Sequence, residues 1–194
     1  VQADVVLRNL SVYANNNAGV RVNSGSATIL QNLLGVNAQG TNSGNINYGI
    51  ENIGGSILID GNYIATNTDA GIFVNGGTTN IIQNNHITNN GNSACTDNIL
   101  VQGGSGLVIT QNFIENAASA GIDASASSGN ITISENSITA SGQDGGNCSG
   151  NIEGMAIKIG GNNSIVTNNM IYANGGAGIV VVGGTANRIS QNSI

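Results

Sequence analysis

The sequence has very little charge, no proline and no tryptophan. It contains 4 Lys and Arg residues and 10 Asp and Glu residues, so charged residues make up 7% of the 194, against about a quarter in ordinary globular proteins. So few cations cannot neutralise a nucleic-acid backbone, and we expect no nucleic-acid partner. Apolar runs such as 179–182 are only about four residues long, which excludes a membrane-spanning helix and membrane insertion.

Small polar residues take the place of the missing charge. The chain has 30 Gly and 34 Asn residues, while hydrophobic residues still make up 39% of it. This hydrophobic content argues against disorder, and the scarcity of Lys, Glu and Arg argues against helices. The composition therefore predicts a repeat of turns and short strands. We expect Gly to supply the turns with positive φ, and the absence of Pro leaves every strand its N–H donors.

One motif recurs along the whole chain: an aliphatic residue, two residues, Asn, one residue and a second aliphatic residue. A copy in which Leu10 replaces Asn precedes seven copies whose Asn residues are Asn32, Asn62, Asn85, Asn112, Asn136, Asn169 and Asn192. The residue two positions after each anchor is always aliphatic, which predicts a strand with an inward-facing column. A short alternating strand such as 57–59 precedes each Asn.

A second block, a small residue followed by alternating aliphatics, lies between successive copies. Examples begin at Gly19, Gly71 and Gly178. The second block leads to the next Asn in 13 to 15 residues, whereas the step from Asn to the next second block is 9 residues in odd coils and 17, 13 and 20 in coils two, four and six. Insertions confined to one loop are typical of a solenoid, in which that loop points away from the stacked strands.

Three strands per turn with an inward Asn at one corner resemble the right-handed parallel β-helix repeat. This is the pectin-lyase-like superfamily, which includes NosD-type and surface-protein repeats. The resemblance covers essentially the whole chain and predicts an all-β solenoid of about eight coils, with longer loops on every second coil. We expect the Asn side chains to form a structural ladder. We interpret residues 1–194 as one β-helix domain, uncapped at both ends and part of a longer protein.

The two cysteines lie in two of the long insertions, which leave the same corner of the rod. Their roots are about 10 Å apart because one short-looped coil separates them. We predict a disulfide between Cys95 and Cys148, and hence an extracellular or cell-surface setting. Two free thiols are the alternative.

The outward residues of the second-block strands are the weak candidates for catalysis. Arg21 neighbours Glu51, and Asp123 neighbours Lys158, beside the long loops. The resemblance places the substrate groove of glycan enzymes on such a face, but each pair is interpreted as a surface ion pair. The paired aspartates of polygalacturonases and the Asp-Pro-His-Glu signature of alginate epimerases have no match.

Two further outward columns carry apolar or aromatic side chains. Tyr63, His86 and Phe113 form a predicted ladder that either stacks against sugars or packs cross-coil, and packing is favoured. General base catalysis by His86 is weaker still, because no carboxylate is expected near it. A stripe made of Leu58, Ile81, Val108 and Ile165, in a column that also contains Val6, Thr28, Thr132 and Arg188, predicts an interface.

No cofactor or metal is expected to be required. Asp97, Asp144 and Glu153 in the long loops could hold Ca²⁺, but the calcium-binding nonapeptide does not occur. We therefore favour a structural or adhesive segment of a surface protein, packing against other copies or domains of the same assembly, over an enzyme. The alternative is a scaffold or carbohydrate-binding part of a polysaccharide-active lyase, hydrolase or epimerase.

Overall fold

The computed structural model describes residues 4–91, 95–127, 129–142 and 154–194. These residues form 22 short strands, numbered in chain order, in three parallel sheets. Sheet A contains β1 (Val5–Arg8), β4 (Ser26–Leu30), β7 (Ser56–Asp60), β10 (Asn80–Gln83), β13 (Val108–Thr110), β16 (Thr132–Ser134), β19 (Ile165–Thr167) and β22 (Arg188–Ser190). Sheet B contains β2 (Ser11–Val12), β5 (Leu33–Leu34), β8 (Tyr63–Ala65), β11 (His86–Thr88), β14 (Phe113–Glu115), β17 (Ser137–Thr139) and β20 (Met170–Tyr172). Sheet C contains β3 (Val20–Val22), β6 (Ile50–Asn52), β9 (Ile72–Asn75), β12 (Ile99–Gly103), β15 (Ile122–Ala124), β18 (Ile157–Ile159) and β21 (Ile179–Val181).

The chain visits the three sheets in turn, because each strand pairs with the strand three positions later in the chain. One circuit through the sheets is one coil, and the eight strands of sheet A correspond to about eight coils. The described residues contain no helix. The predicted all-β parallel solenoid is therefore confirmed.

Columns of aliphatic side chains fill the space between the sheets. Ile59, Ile82 and Ile109 of sheet A pair in register and are fully buried. Ile64, Ile87 and Ile114 form the corresponding column of sheet B. Burying each such side chain contributes about 1.5–3 kcal/mol, so the stacked columns supply most of the driving force for folding.

The first asparagine ladder runs along the corner between sheets A and B. The Oδ1 atom of each ladder Asn accepts hydrogen bonds from the backbone N–H and the Nδ2 group of the ladder Asn in the preceding coil. All six links between neighbouring ladder residues are 2.9–3.0 Å long. The predicted structural ladder, Asn32, Asn62, Asn85, Asn112, Asn136, Asn169 and Asn192, is thereby confirmed.

The residue before each anchor of this ladder has a left-handed backbone conformation. Gly61 is the one glycine among these seven residues, and the others include Gln31, Gln111 and Glu135, with φ of 53°, 55° and 57°. The expectation that Gly supplies the turns is wrong at this corner. An L side chain is disfavoured in this conformation by about 1–2 kcal/mol, and the ladder hydrogen bonds that follow hold the chain in it.

A second asparagine ladder, which the sequence reasoning missed, runs along the corner between sheets B and C. Asn45, Asn67 and Asn90 repeat the same donation from backbone N–H and Nδ2 to the next Oδ1, with side-chain links of 2.8 and 2.9 Å. All three are buried. Both long sides of sheet B are therefore closed by amide ladders.

The second ladder changes its position in the fifth coil. Ala117 occupies the ladder position there, and Asn98, from the neighbouring column, supplies the acceptor for Asn90 at 2.9 Å instead. The preceding residues of Asn98's column are Gly49 and Gly71. A Cβ atom at either glycine would lie 2.8 Å from the Nδ2 atom of the adjacent ladder Asn.

Candidate functional site

Sheet A presents an apolar stripe on its outer face, which Thr132 interrupts between Val108 and Ile165. Leu58, Ile81 and Val108 pair in strict register across β7, β10 and β13, and Ile165 lies further along the same column. The first three are half-buried and Ile165 is 39% exposed. We call this column, together with Val6 and Thr28 at one end, the sheet A stripe.

Polar columns border the sheet A stripe on both sides. Ser26 and Ser56 lie on one side, and Asp60, Thr110 and Ser134 lie on the other. A shallow depression over β4, β7 and β10 follows the stripe. The face is thus amphipathic, and the depression over the stripe is open rather than an enclosed ligand pocket.

The aromatic ladder of Tyr63, His86 and Phe113 lies on the outer face of sheet B, one residue per coil. The ring centroids of His86 lie 5.0 Å from those of both Tyr63 and Phe113, with interplanar angles of 84° and 51°. The rings therefore contact one another by edges and tilted faces. They do not form a coplanar platform, which agrees with a packing role, while the ligand-binding role stays a prediction.

Glu115 is the carboxylate partner of His86 that the sequence reasoning missed. His86 Nε2 lies 2.8 Å from Glu115 Oε1, and the two side chains are 38% and 25% exposed. The expectation that no carboxylate lies near the histidine is wrong. Glu115 faces outward two residues after Phe113 on β14, so it reaches His86 diagonally, and a search along single columns does not reveal the contact.

The first half of the sheet C face is closed by its own side chains. The Arg21 Nε–Glu51 Oε2 distance is 3.4 Å, but Glu51 is buried, so this is not the surface ion pair that was expected. Phe73, which pairs with Glu51 in the same column, is also buried because Tyr48 stacks on it with a ring-centroid distance of 4.7 Å and an interplanar angle of 12°. Burial and the neighbouring charge of Asp69 raise the pKa of Tyr48 to about 12.

The second half of the sheet C face carries a cluster of Asp97, Asp123 and Lys158. Asp123 and Lys158 pair in register, with Lys158 Nζ 3.7 Å from Asp123 Oδ2, and both side chains are mostly covered. Asp97 is buried and accepts a 2.8 Å hydrogen bond from the backbone N–H of Ala120. Burial raises the pKa of Asp97 to about 7, and the charge of Asp123 contributes to the increase.

This cluster combines a carboxyl group whose pKa is about 7 with a second carboxyl group that is paired with Lys158. A carboxyl group with a pKa near neutral pH is suited to act as a general acid or base. Among the residues that the structure describes, no three His, Cys, Asp or Glu side chains are grouped as a metal site. Asp144, Glu153 and Cys148 lie outside the described residues, so the Ca²⁺ site in the loops and the Cys95–Cys148 disulfide stay predictions.

The comparisons with known proteins identify the repeat and its handedness. The family model of the right handed beta helix region matches residues 2–151 and 44–194, which together span nearly the whole chain. The match does not distinguish NosD-type repeats from others, and that subfamily stays a prediction. No curated protein and no solved structure matches the chain significantly. No helix among the described residues has the length and apolarity needed to span a membrane.

Proposed function

Because the chain belongs to the right handed beta helix family, we propose that it is a structural segment of a surface assembly that packs laterally through the sheet A stripe. The occupant of that face is a second copy of the rod. The observation that supports this is the strict register of Leu58, Ile81 and Val108 on the outer face of sheet A. The low charge of the chain also supports it, since like rods then repel one another weakly.

The size of the face sets the strength of this contact. Eight strands spaced by about 4.8 Å make the face about 34 Å long, and strands of three to five residues make it about 10–17 Å wide. The area is therefore at most about 600 Å², below the roughly 800 Å² per partner of a stable complex. A single contact is weak, and the assembly depends on many rods being held close together.

Sedimentation velocity over a concentration series tests the lateral contact. We expect the wild-type chain to associate reversibly at high concentration. The variant L58K/I81K should remain monomeric, because it places two cations in the stripe. The matched control T110K/S134K adds the same charge in the polar column of the same sheet and should still associate. A wild-type chain that is monomeric throughout, or equal loss in both variants, would refute the proposal.

We propose an extracellular or cell-surface setting for this assembly. The support is the disulfide predicted between Cys95 and Cys148, because such bonds persist in oxidising compartments. Mass spectrometry of the protein purified without reductant tests it. A cross-linked peptide pair is the expected result, and two alkylated thiols would contradict it.

A second candidate function, acid–base chemistry on a polysaccharide, is favoured by the cluster of Asp97, Asp123 and Lys158. At neutral pH the raised pKa of Asp97 keeps a population of the protonated acid beside the carboxylate of Asp123. In this proposal Asp97 donates a proton to the leaving group. Asp123 acts as the charged partner.

Incubation with a panel of uronic-acid and neutral polysaccharides, followed by a reducing-end assay, tests the second candidate. Turnover should fall at least about 100-fold in D97N and in D123N, whereas E135Q, which changes an exposed acid elsewhere, should leave it unchanged. Turnover that survives both cluster substitutions, or its absence on every polysaccharide, would exclude this function for the chain.

A further inference from the structure

The sequence contains three Asn–Gly pairs, and they differ in how their Asn side chains are held. Asn75, Asn90 and Asn174 each precede a glycine. Asn–Gly is the dipeptide most prone to deamidation, in which the Asn side chain loses its amide as ammonia. The reason is that Gly has no side chain to shield the backbone nitrogen that attacks the Asn amide. Reaction needs an Asn side chain that can turn toward that nitrogen, so its burial and hydrogen bonds decide the rate.

Two of the pairs are held in place by the corner of sheets B and C. Asn90 is fully buried, its Oδ1 accepts from the N–H and Nδ2 of Asn67, and its Nδ2 donates to the carbonyl of Ile64 and to Asn98. Asn174 Oδ1 accepts from the N–H of Ser141, while its Nδ2 donates to the carbonyl oxygens of Ile138 and Tyr172. Turning either side chain requires breaking these bonds.

Asn75 lies at the end of β9 and is exposed. In the part of the chain that the structure describes, its side chain makes no hydrogen bond. Gly76 after it is fixed by packing, because a Cβ atom there would lie 2.4 Å from the carbonyl oxygen of Ile53. The fold therefore keeps the reactive dipeptide while leaving its amide free to move.

We propose that Asn75 is a site of spontaneous deamidation and that the hydrogen bonds at the corner of sheets B and C protect Asn90 and Asn174 from the same reaction. The Gly76 nitrogen attacks Cγ of Asn75, the C–N bond of the amide breaks, and ammonia leaves to give a succinimide. Water then opens the ring to aspartate or isoaspartate. The product carries one more negative charge beside β12, and isoaspartate lengthens the main chain where Asn75 pairs with Gly103.

Peptide mapping by mass spectrometry after incubation of the folded chain at mildly alkaline pH tests this inference. We expect acidic product at Asn75 to form at least tenfold faster than at Asn90 or Asn174. In urea all three should react at similar rates, because the ladder is lost. The control N75Q keeps an amide but needs a larger ring to react, and should lose most of the acidic species on ion exchange. Equal rates at the three sites in the folded chain, or an Asn75 that reacts only in urea, would overturn the proposal.

Discussion

Asparagine ladders satisfy the buried polar groups at both corners of sheet B, but only one of the two ladders changes its column. At the corner with sheet A, the ladder from Asn32 to Asn192 runs through seven coils without a substitution. At the corner with sheet C, the ladder passes from Asn90 to Asn98 where Ala117 interrupts it. A left-handed residue precedes ladder positions at both corners, for example Gln31 at the first and Thr66 at the second, yet only the second ladder exchanges its partners.

The reason for the difference lies beside each ladder. The second ladder lies against a column that is mostly glycine, and the missing Cβ atoms of Gly49 and Gly71 leave room for an amide from either side. The first ladder lies against the buried column of Ile64, Ile87 and Ile114, which has no such room. Where glycines leave space beside the ladder, the acceptor amide can come from either of two columns. Where the neighbouring column is filled by isoleucine, the amide must stay in the ladder column.

The largest effect is expected from removing a middle residue of the first ladder. N112L leaves the N–H of Asn85 and the carbonyl of Ile82 without the partner that Asn112 provides. The Nδ2 group of Asn85 keeps its hydrogen bonds to the carbonyl oxygens of Ile59 and Gln83. Each buried unsatisfied group costs about 1–3 kcal/mol, so we expect a loss of about 2–6 kcal/mol in the free energy of unfolding. Urea denaturation measures it. The exposed control N17S should change stability by less than about 1 kcal/mol, and a similarly small loss for N112L would show that the ladder is dispensable.

The next effect is pH-dependent and lies beside the break in the second ladder. Asp97 has a folded pKa of about 7 and an unfolded value near 3.9. The folded state therefore binds more protons between these values, and stability falls as pH rises from about 4 to about 7, by up to about 4 kcal/mol. Urea denaturation at several pH values should show this loss in the wild-type chain and not in D97N. Identical pH dependence of the two proteins would contradict the burial of this carboxyl group.

A double-mutant cycle tests the exchange of partners in the second ladder. N98G alone leaves Asn90 without its acceptor and should cost about 2–3 kcal/mol. A117N alone adds an amide to a filled site and should cost about 1–3 kcal/mol. The double variant has glycine at position 98 and asparagine at position 117, which copies the arrangement of Gly71 beside Asn90 one coil earlier. Its stability should therefore lie within about 1 kcal/mol of wild type. Additive losses would show that the two positions are independent.

The smallest effect is expected on a face, away from both corners. E115Q removes the ion pair between Glu115 and His86, and both of these side chains are partly exposed. Such a pair contributes less than about 1 kcal/mol. A thermal unfolding scan near pH 6 should therefore show a small decrease in Tm. A loss as large as that of N112L would mean that the aromatic ladder, and not the corner, stabilises the stack.

The periodic Asn was enough to predict the fold, the first ladder and the inward columns, because every copy repeats at the same position. The second ladder could not be found in this way, since the insertion before Asn45 and the change of column at Asn98 break its period. At Gln31 and Glu135 the hydrogen bonds of the ladder hold a left-handed backbone conformation that these residues disfavour locally. Composition alone therefore led to the wrong expectation that glycine forms these turns. Glu115 was missed because its contact crosses strands diagonally.

Amide hydrogen exchange followed by NMR tests most directly the claim that buried amide ladders hold the coils together. The N–H groups of Asn85 and Asn112, which donate to the next Oδ1 atom, should exchange only through global unfolding. The N–H of Asn90, which reaches Asn98 at 3.3 Å, should exchange faster. If Asn85 and Asn112 exchange as fast as the exposed Asn17, the ladders do not hold the stack.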